Sequence, residues 1–150
     1  MRFLAAIFCG MLLVAAGNAT NAEFTTVINI PPDAAPTSIG SDTQLNLGDG
    51  GVLPANFDAG ASDGSSVNVE VNISGGLVDH HFFAYAGSVI NVSGGLIKTR
   101  FWPRSGSIAH ITGGTFEKDF TLGGGSTTTL FGGVLPNVLH ALCRSGVAVY

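Results

Sequence analysis

Few residues in this chain have types and spacing that could do chemistry. Gly60-Ala61-Ser62-Asp63-Gly64 matches the G-x-S-x-G pattern of a nucleophile elbow, which needs a strand before the serine and a helix after it. No helical pattern follows, and Gly, Ser and Asp are also ordinary corner residues, so the corner reading is the stronger one. His80, His81, His110 and His140 are zinc-ligand types, but zinc wants three or four ligands converging. These four fall at different places in the repeat set out below, so no metal centre and no cofactor are expected. Asp49, Asp58 and Asp63 could offer oxygens to calcium, which takes about six to eight. They do not recur with the repeat, so at most one weak, incidental calcium site is expected. Asn72-Ile73-Ser74 and Asn91-Val92-Ser93 are glycosylation sequons, and an asparagine ladder between stacked units accounts for them without sugar.

The remaining candidates are aromatic. Phe83 and Tyr85, then Trp102 and Arg104 nineteen residues on, occupy equivalent positions of one alternating pattern. If Phe82 and Ala84 point inward, these four point outward. An aromatic platform flanked by arginine can stack on a sugar ring or meet a protein partner. The alternatives are cover by a loop, such as the proline-rich segment 30–36, or a lone pair of exposed aromatics.

What positions them is a repeat. Gly-Gly pairs fall at Gly75-Gly76, Gly94-Gly95, Gly113-Gly114 and Gly132-Gly133, nineteen residues apart each time. Gly87-Ser88, Gly106-Ser107 and Gly125-Ser126 keep the interval. So do Phe82, Phe101, Phe120 and then Leu139; Ile73, Val92, Ile111 and Leu130; and Val78, Ile97, Phe116 and Leu135. Upstream, Phe57 stands at the same offset from Gly50-Gly51 as Phe82 from its pair. Gly51 to Gly64 is two residues longer than Gly76 to Gly87, and Gly64 to Gly75 four longer than Gly87 to Gly94. These read as two turn insertions. Gly40-Ser41 and Leu45-Asn46-Leu47 resemble Gly87-Ser88 and Ile90-Asn91-Val92.

Nineteen residues are too few for two packed helices, and the apolar positions alternate with period two, as in strands. Glycines at fixed offsets supply the positive φ of tight corners. The expected fold is therefore all-β: a single-stranded parallel β-solenoid of 19-residue coils, three short strands each, about five coils from Gly51 to Tyr150. Phe82, Phe101 and Phe120 should stack inside, with the Val78 and Ile73 columns on the other inner walls. The corner columns Asp79-Lys98-Glu117, His80-Thr99-Lys118 and His81-Arg100-Asp119 set opposite charges on adjacent coils, as exposed structural pairs worth under ~1 kcal/mol each.

Composition excludes several classes. Gly and Pro make 28 of 150 residues and only 11% are charged, with a mean hydropathy of +0.41; neither a disordered tail nor a coiled coil has that make-up. Met1-Arg2, an apolar run from Phe3 to Gly17 and small residues before Glu23 read as a signal peptide over 1–22. The run is short of a bilayer span, so secretion with no membrane span in the mature form is expected. Beyond it stand five bases and ten acids, a difference of −5. No basic patch offers itself to nucleic acid. Cys143 alone survives and can form no internal disulfide.

The unit Asn91-Val92-Ser93-Gly94-Gly95, with Asn72 to Gly76 as its variant, resembles the repeats of bacterial filamentous-haemagglutinin-like and autotransporter-adhesin passenger domains over residues 40–140. The resemblance implies a right-handed parallel β-helix related to the pectin-lyase fold, and a bacterial surface protein. No autotransporter barrel or recognisable secretion domain accompanies it. The domain reading is a signal peptide (1–22), an N-terminal extended or capping segment (23–39), β-helix repeats (40–140) and an irregular end (141–150), where the pattern decays uncapped. That end is expected either to mark a shortened member of a longer family or to drive end-to-end self-association. Functionally, the expectation is a non-catalytic, adhesin-like module meeting an extracellular polysaccharide or surface protein. The alternatives are a small carbohydrate-binding or polysaccharide-processing protein of the pectin-lyase kind, and a fragment with no independent function. No outer column carries acids on consecutive coils, so paired-carboxylate chemistry has no evident home, and the chain is not expected to be an enzyme.

Overall fold

The computed structural model describes residues 23–136, 139–142 and 145–150. The expected signal peptide over 1–22 and Cys143 lie outside the described residues. The strands are, in chain order, β1 (Thr26–Ile30), β2 (Ser38–Ile39), β3 (Thr43–Leu47), β4 (Val52–Leu53), β5 (Phe57–Ala59), β6 (Val69–Ile73), β7 (Leu77–Val78), β8 (Phe82–Ala84), β9 (Ser88–Val92), β10 (Leu96–Pro103), β11 (Ile108–Ile111), β12 (Thr115–Leu122), β13 (Thr127–Leu130), β14 (Leu139–Ala141) and β15 (Gly146–Val149). Every pairing between them is parallel, and no helix occurs among the described residues. One sheet runs β1-β3-β6-β9-β11-β13-β15; the other carries the remaining strands. The chain is a parallel β-solenoid.

From the second coil on, the chain crosses the first sheet once, turns at a glycine, and crosses the second sheet in two segments. In β10 and β12 those segments run on as one eight-residue strand. Phe57, Phe82, Phe101 and Phe120 lie in one register column, with Leu139 after them. The four rings are fully buried and stack at 5.5, 5.2 and 5.4 Å between centroids. Ile30, Leu47, Ile73, Val92, Ile111 and Leu130 form a second buried column. Val78, Ile97 and Phe116 form a third.

Among the described residues, left-handed backbone recurs at three corner positions of the coil. Gly76, Gly95, Gly114 and Gly133 hold the first (φ 71 to 100°) and Asn56, His81, Arg100 and Asp119 the second (φ 52 to 66°). Asp42, Asn68, Gly87, Gly106 and Gly125 hold the third (φ 55 to 84°). Asn, Asp and His are the non-glycine residues best suited to this region; Arg100 is the exception. The first glycine of each pair answers a different demand. A Cβ on Gly94 would fall on the Ser74 carbonyl oxygen, and one on Gly113 on that of Ser93. The Gly-Ser corners close because Ser88, Ser107 and Ser126, all buried, donate Oγ–H to the carbonyl three residues back at 2.5–2.7 Å.

The structure corrects the sequence reading at several places. The extra residues of the upstream coil form one insertion, not two. Asn68 rather than Gly64 holds the third corner, because Asn68 precedes Val69 as Gly87 precedes Ser88. All six surplus residues therefore sit between Ala59 and Asn68. By the same register Asp42, not Gly40-Ser41, is the corner above, and Asn68 Nδ2–H donates to Asp42 Oδ1 at 3.0 Å. The segment 23–39 contains β1, a true coil strand paired with β3, so the solenoid has about six turns: the five expected from Gly51 onward and one before them. Ala35 of the proline-rich segment packs against the core. Toward the C-terminus, Gly146–Val149 form a regular strand: Thr127 pairs with Gly146 and Leu130 with Val149, nineteen residues on, and Ser145 repeats the Ser126 hydroxyl bond at 2.8 Å. Of the charge columns, only Asp79–Lys98 closes, at 3.3 Å, with His80 beside Asp79 at 3.6 Å.

Candidate functional site

Alternation along β8 and β10 decides which side chains face out. Phe82 and Ala84 are buried, and so are Phe101 and Pro103, whereas Phe83, Tyr85, Trp102 and Arg104 are only partly covered. Parallel register then stacks them. Asp58, Phe83 and Trp102 follow one another up one outer column. Gly60, Tyr85, Arg104 and Gly123 follow up the next, each coil's amide bonded to the coil below. A Cβ on Gly123 would come within 2.9 Å of the Arg104 Cα, so glycine there keeps the coil above close to Arg104.

The four residues do come together, but not as a flat platform flanked by arginine. Phe83 and Trp102 are tilted by 51° at 5.9 Å, and Phe83 and Tyr85 by 37° at 6.3 Å. Arg104 lies over the rings: its guanidinium carbon is 4.2 Å from the Trp102 centroid, 5.2 Å from that of Phe83 and 5.4 Å from that of Tyr85. Each such contact contributes about 0.5–1 kcal/mol at an exposed site and more where water is excluded. The arrangement hides two donors. Trp102 Nε1 and Arg104 Nε are buried with no acceptor, and an unmade buried hydrogen bond costs about 1–3 kcal/mol. Lateral neighbours at strand spacing were legible in the sequence. The arginine folding back across the rings was not.

An open-sided cavity of about 400 Å³ lies against this cluster, lined by Tyr85, Trp102, Arg104 and Ser105 on one side and by Ser62, Asp63 and Gly64 of the inserted loop on another. A second, of about 370 Å³, adjoins it at Ser62 and reaches Asp58. Burial pushes the Asp58 carboxyl above its usual range, opposed by a Tyr85 hydrogen bond and the Arg104 charge. Burial and then the Asp58 charge raise the Tyr85 phenol. Asp63 is fully exposed, and the Ser65 hydroxyl and amide hold its carboxyl below the usual range.

The other sequence candidates serve the scaffold. Ser62 sits in the inserted loop with no helix after it, so the nucleophile elbow has no structural counterpart. His81 holds a left-handed corner and bonds Asn56 at 3.0 Å; His110 bonds Thr129 at 2.7 Å. No three His, Cys, Asp or Glu side chains among the described residues gather as a metal would require, Asp49, Asp58 and Asp63 included. The sequon asparagines belong to a ladder in which each Nδ2–H donates to the coil before: Asn91 to Asn72 at 2.8 Å, Asn72 to Asn46 and Asn46 to Asn29 at 2.9 Å. No helix of the described residues is long and apolar enough to cross a membrane. In comparisons with known proteins, no family model, no curated protein and no solved structure matches the chain.

Proposed function

We propose that this protein is a secreted, non-catalytic β-solenoid that works as an interaction module at a cell surface. Its binding face is Phe83, Tyr85, Trp102 and Arg104, and its partner is an extracellular polysaccharide or a surface protein. The observation that carries the reading is the contrast between columns. The scaffold columns keep one residue type over successive coils, whereas these aromatics occur on two coils, together, beside a cavity walled by the one inserted loop among the described residues. Aromatic faces with a cation are a common way to hold a sugar ring or an apolar protein patch. The apolar run from Phe3 to Gly17 and the resemblance of the Asn-Val-Ser-Gly-Gly unit to adhesin repeats support export and a surface role. Catalysis has little support, since Asp58 and Asp63 are the only acids near the cavity and neither stands opposite a second carboxylate on an adjacent coil.

A glycan array read beside a lyase absorbance assay tests this. Binding without turnover, abolished by the double change Phe83→Ala, Trp102→Ala in a protein that keeps its β spectrum, is the expected result. Turnover, or binding untouched by the double change, overturns it.

A further inference from the structure

We infer that the cavity beside Arg104 takes a ligand bearing a single carboxylate, and that the carboxylate draws the guanidinium off the Trp102 ring. This rests on the reading of the Phe83–Arg104 face as the binding face and gives it a ligand chemistry.

Arg104 is a partly buried cation with no carboxylate at ion-pair distance among the described residues, and only Asp58 of the adjoining cavity acts on it at longer range. The only lysine or arginine ion pair among the described residues is Lys98 with Asp79. No side-chain hydrogen bond from Arg104 to another described residue is present; it touches ring faces instead. A guanidinium carries five N–H donors in a fixed fork that fits a carboxylate edge with two parallel bonds. Here that fork is unused, and its Nε is sealed without an acceptor while lying on a ring whose own Nε1 is sealed without one. Moving the guanidinium toward the cavity uncovers both donors at once and offers them to an incoming oxygen.

The surroundings select for one negative charge. Asp63 lines the cavity but is engaged by Ser65, and Asp58 stands in the adjoining cavity. Arg104 is the one cation lining the cavity among the described residues, and two acids stand near it, so a dianion such as phosphate meets more repulsion than a single carboxylate held by the guanidinium fork. A neutral ligand would leave the fork unpaired. The Ser62 and Ser105 hydroxyls, with Gly64, Gly123 and Gly124 leaving space, accommodate a body about the size of one ring. That body is an aromatic ring or a sugar ring, each carrying the same acid group.

Titration calorimetry on the mature protein separates the cases. The probes are sodium benzoate and sodium glucuronate, with benzyl alcohol and glucose as their neutral counterparts. The expected result is saturable binding of at least one acid and none of its neutral counterpart, and whichever acid binds tells the body. Arg104→Gln should weaken it about tenfold or more, and Arg104→Lys, which keeps charge but not the fork, by less. Both variants should keep the wild-type far-ultraviolet spectrum, and sole-tryptophan emission should change on binding only where the acid binds. If a neutral probe binds as well as its acid, or Arg104→Gln binds like wild type, the carboxylate inference fails. The face reading still stands if Trp102→Ala abolishes that binding. If none of the four probes binds, the inference also fails, and the face is then judged by the glycan array alone.

Discussion

Phe101 and Trp102 are consecutive residues of β10, and they live under opposite rules. Phe101 has a ring on the coil below and on the coil above, at 5.2 and 5.4 Å, nearly parallel to both. It is fully buried and carries no polar atom. Trp102 meets its neighbour Phe83 at a 51° tilt, is covered by a guanidinium and has an N–H with no acceptor. The inner column repeats because a solenoid can bury its core only if each coil presents the same shape to the next. The outer column is free to vary, and an aromatic there answers to something other than the fold. Scaffold and site therefore separate along one strand, residue by residue.

The sharpest way to break that comparison is truncation on each side. Phe101→Ala opens a hole in a stacked column and should cost about 3–5 kcal/mol. Trp102→Ala removes a partly exposed ring that also carries an unpaired donor, and should cost well under half of that. Equal shifts in denaturant midpoint would place both rings in one structural role. Next in size is Gly94→Ala, whose new Cβ meets the Ser74 carbonyl oxygen of the coil below. Forcing two coils apart should cost about 1–3 kcal/mol, read from the same midpoint. An unchanged midpoint would show that the first glycine of the pair is not a spacing requirement. Smallest, and opposite in sign, is Thr128→Val. Thr128 lies in the inner column of Val71, Ile90 and Ala109, fully buried with its hydroxyl unpaired. An apolar residue of the same shape should stabilise by about 1 kcal/mol. A loss would mean that the hydroxyl has a partner such as a bound water.

How legible all this was depended on what each feature needs. The phenylalanine column and the glycine pairs stood out because a nineteen-residue interval fixes shape and spacing together. The insertion before Asn68 is hard to place from sequence because glycine is the usual residue at a corner with positive φ, whereas Asn68 and Asp42 adopt the same backbone with a side-chain bond between coils. The first coil was missed for a related reason. Asn29 precedes Asn46 by 17 residues and Asn46 precedes Asn72 by 26, so only the ladder of amides, not the interval, marks them as equivalent. In the last coil Ser145 keeps the serine column, but the residue before it is not glycine, which made the register look lost. At the site, alternation placed all four residues on the correct side. The direction in which Arg104 lies is beyond sequence, because a long side chain between coils settles by what its neighbours leave open: two ring faces on the coil below, one beside it on its own coil, and a glycine above.

Trp102 is the only tryptophan in the chain, so its fluorescence reports on this face and nothing else. The central claim is that Arg104 covers the Trp102 ring as part of a surface the fold does not depend on. Acrylamide quenching of wild type and Arg104→Ala, each paired with a denaturant melt, tests that claim most directly. Quenching should rise clearly in Arg104→Ala while the midpoint moves by less than about 1 kcal/mol equivalent, the scale of an exposed cation–aromatic contact. Unaltered quenching, or a collapse of stability on removing Arg104, would contradict it.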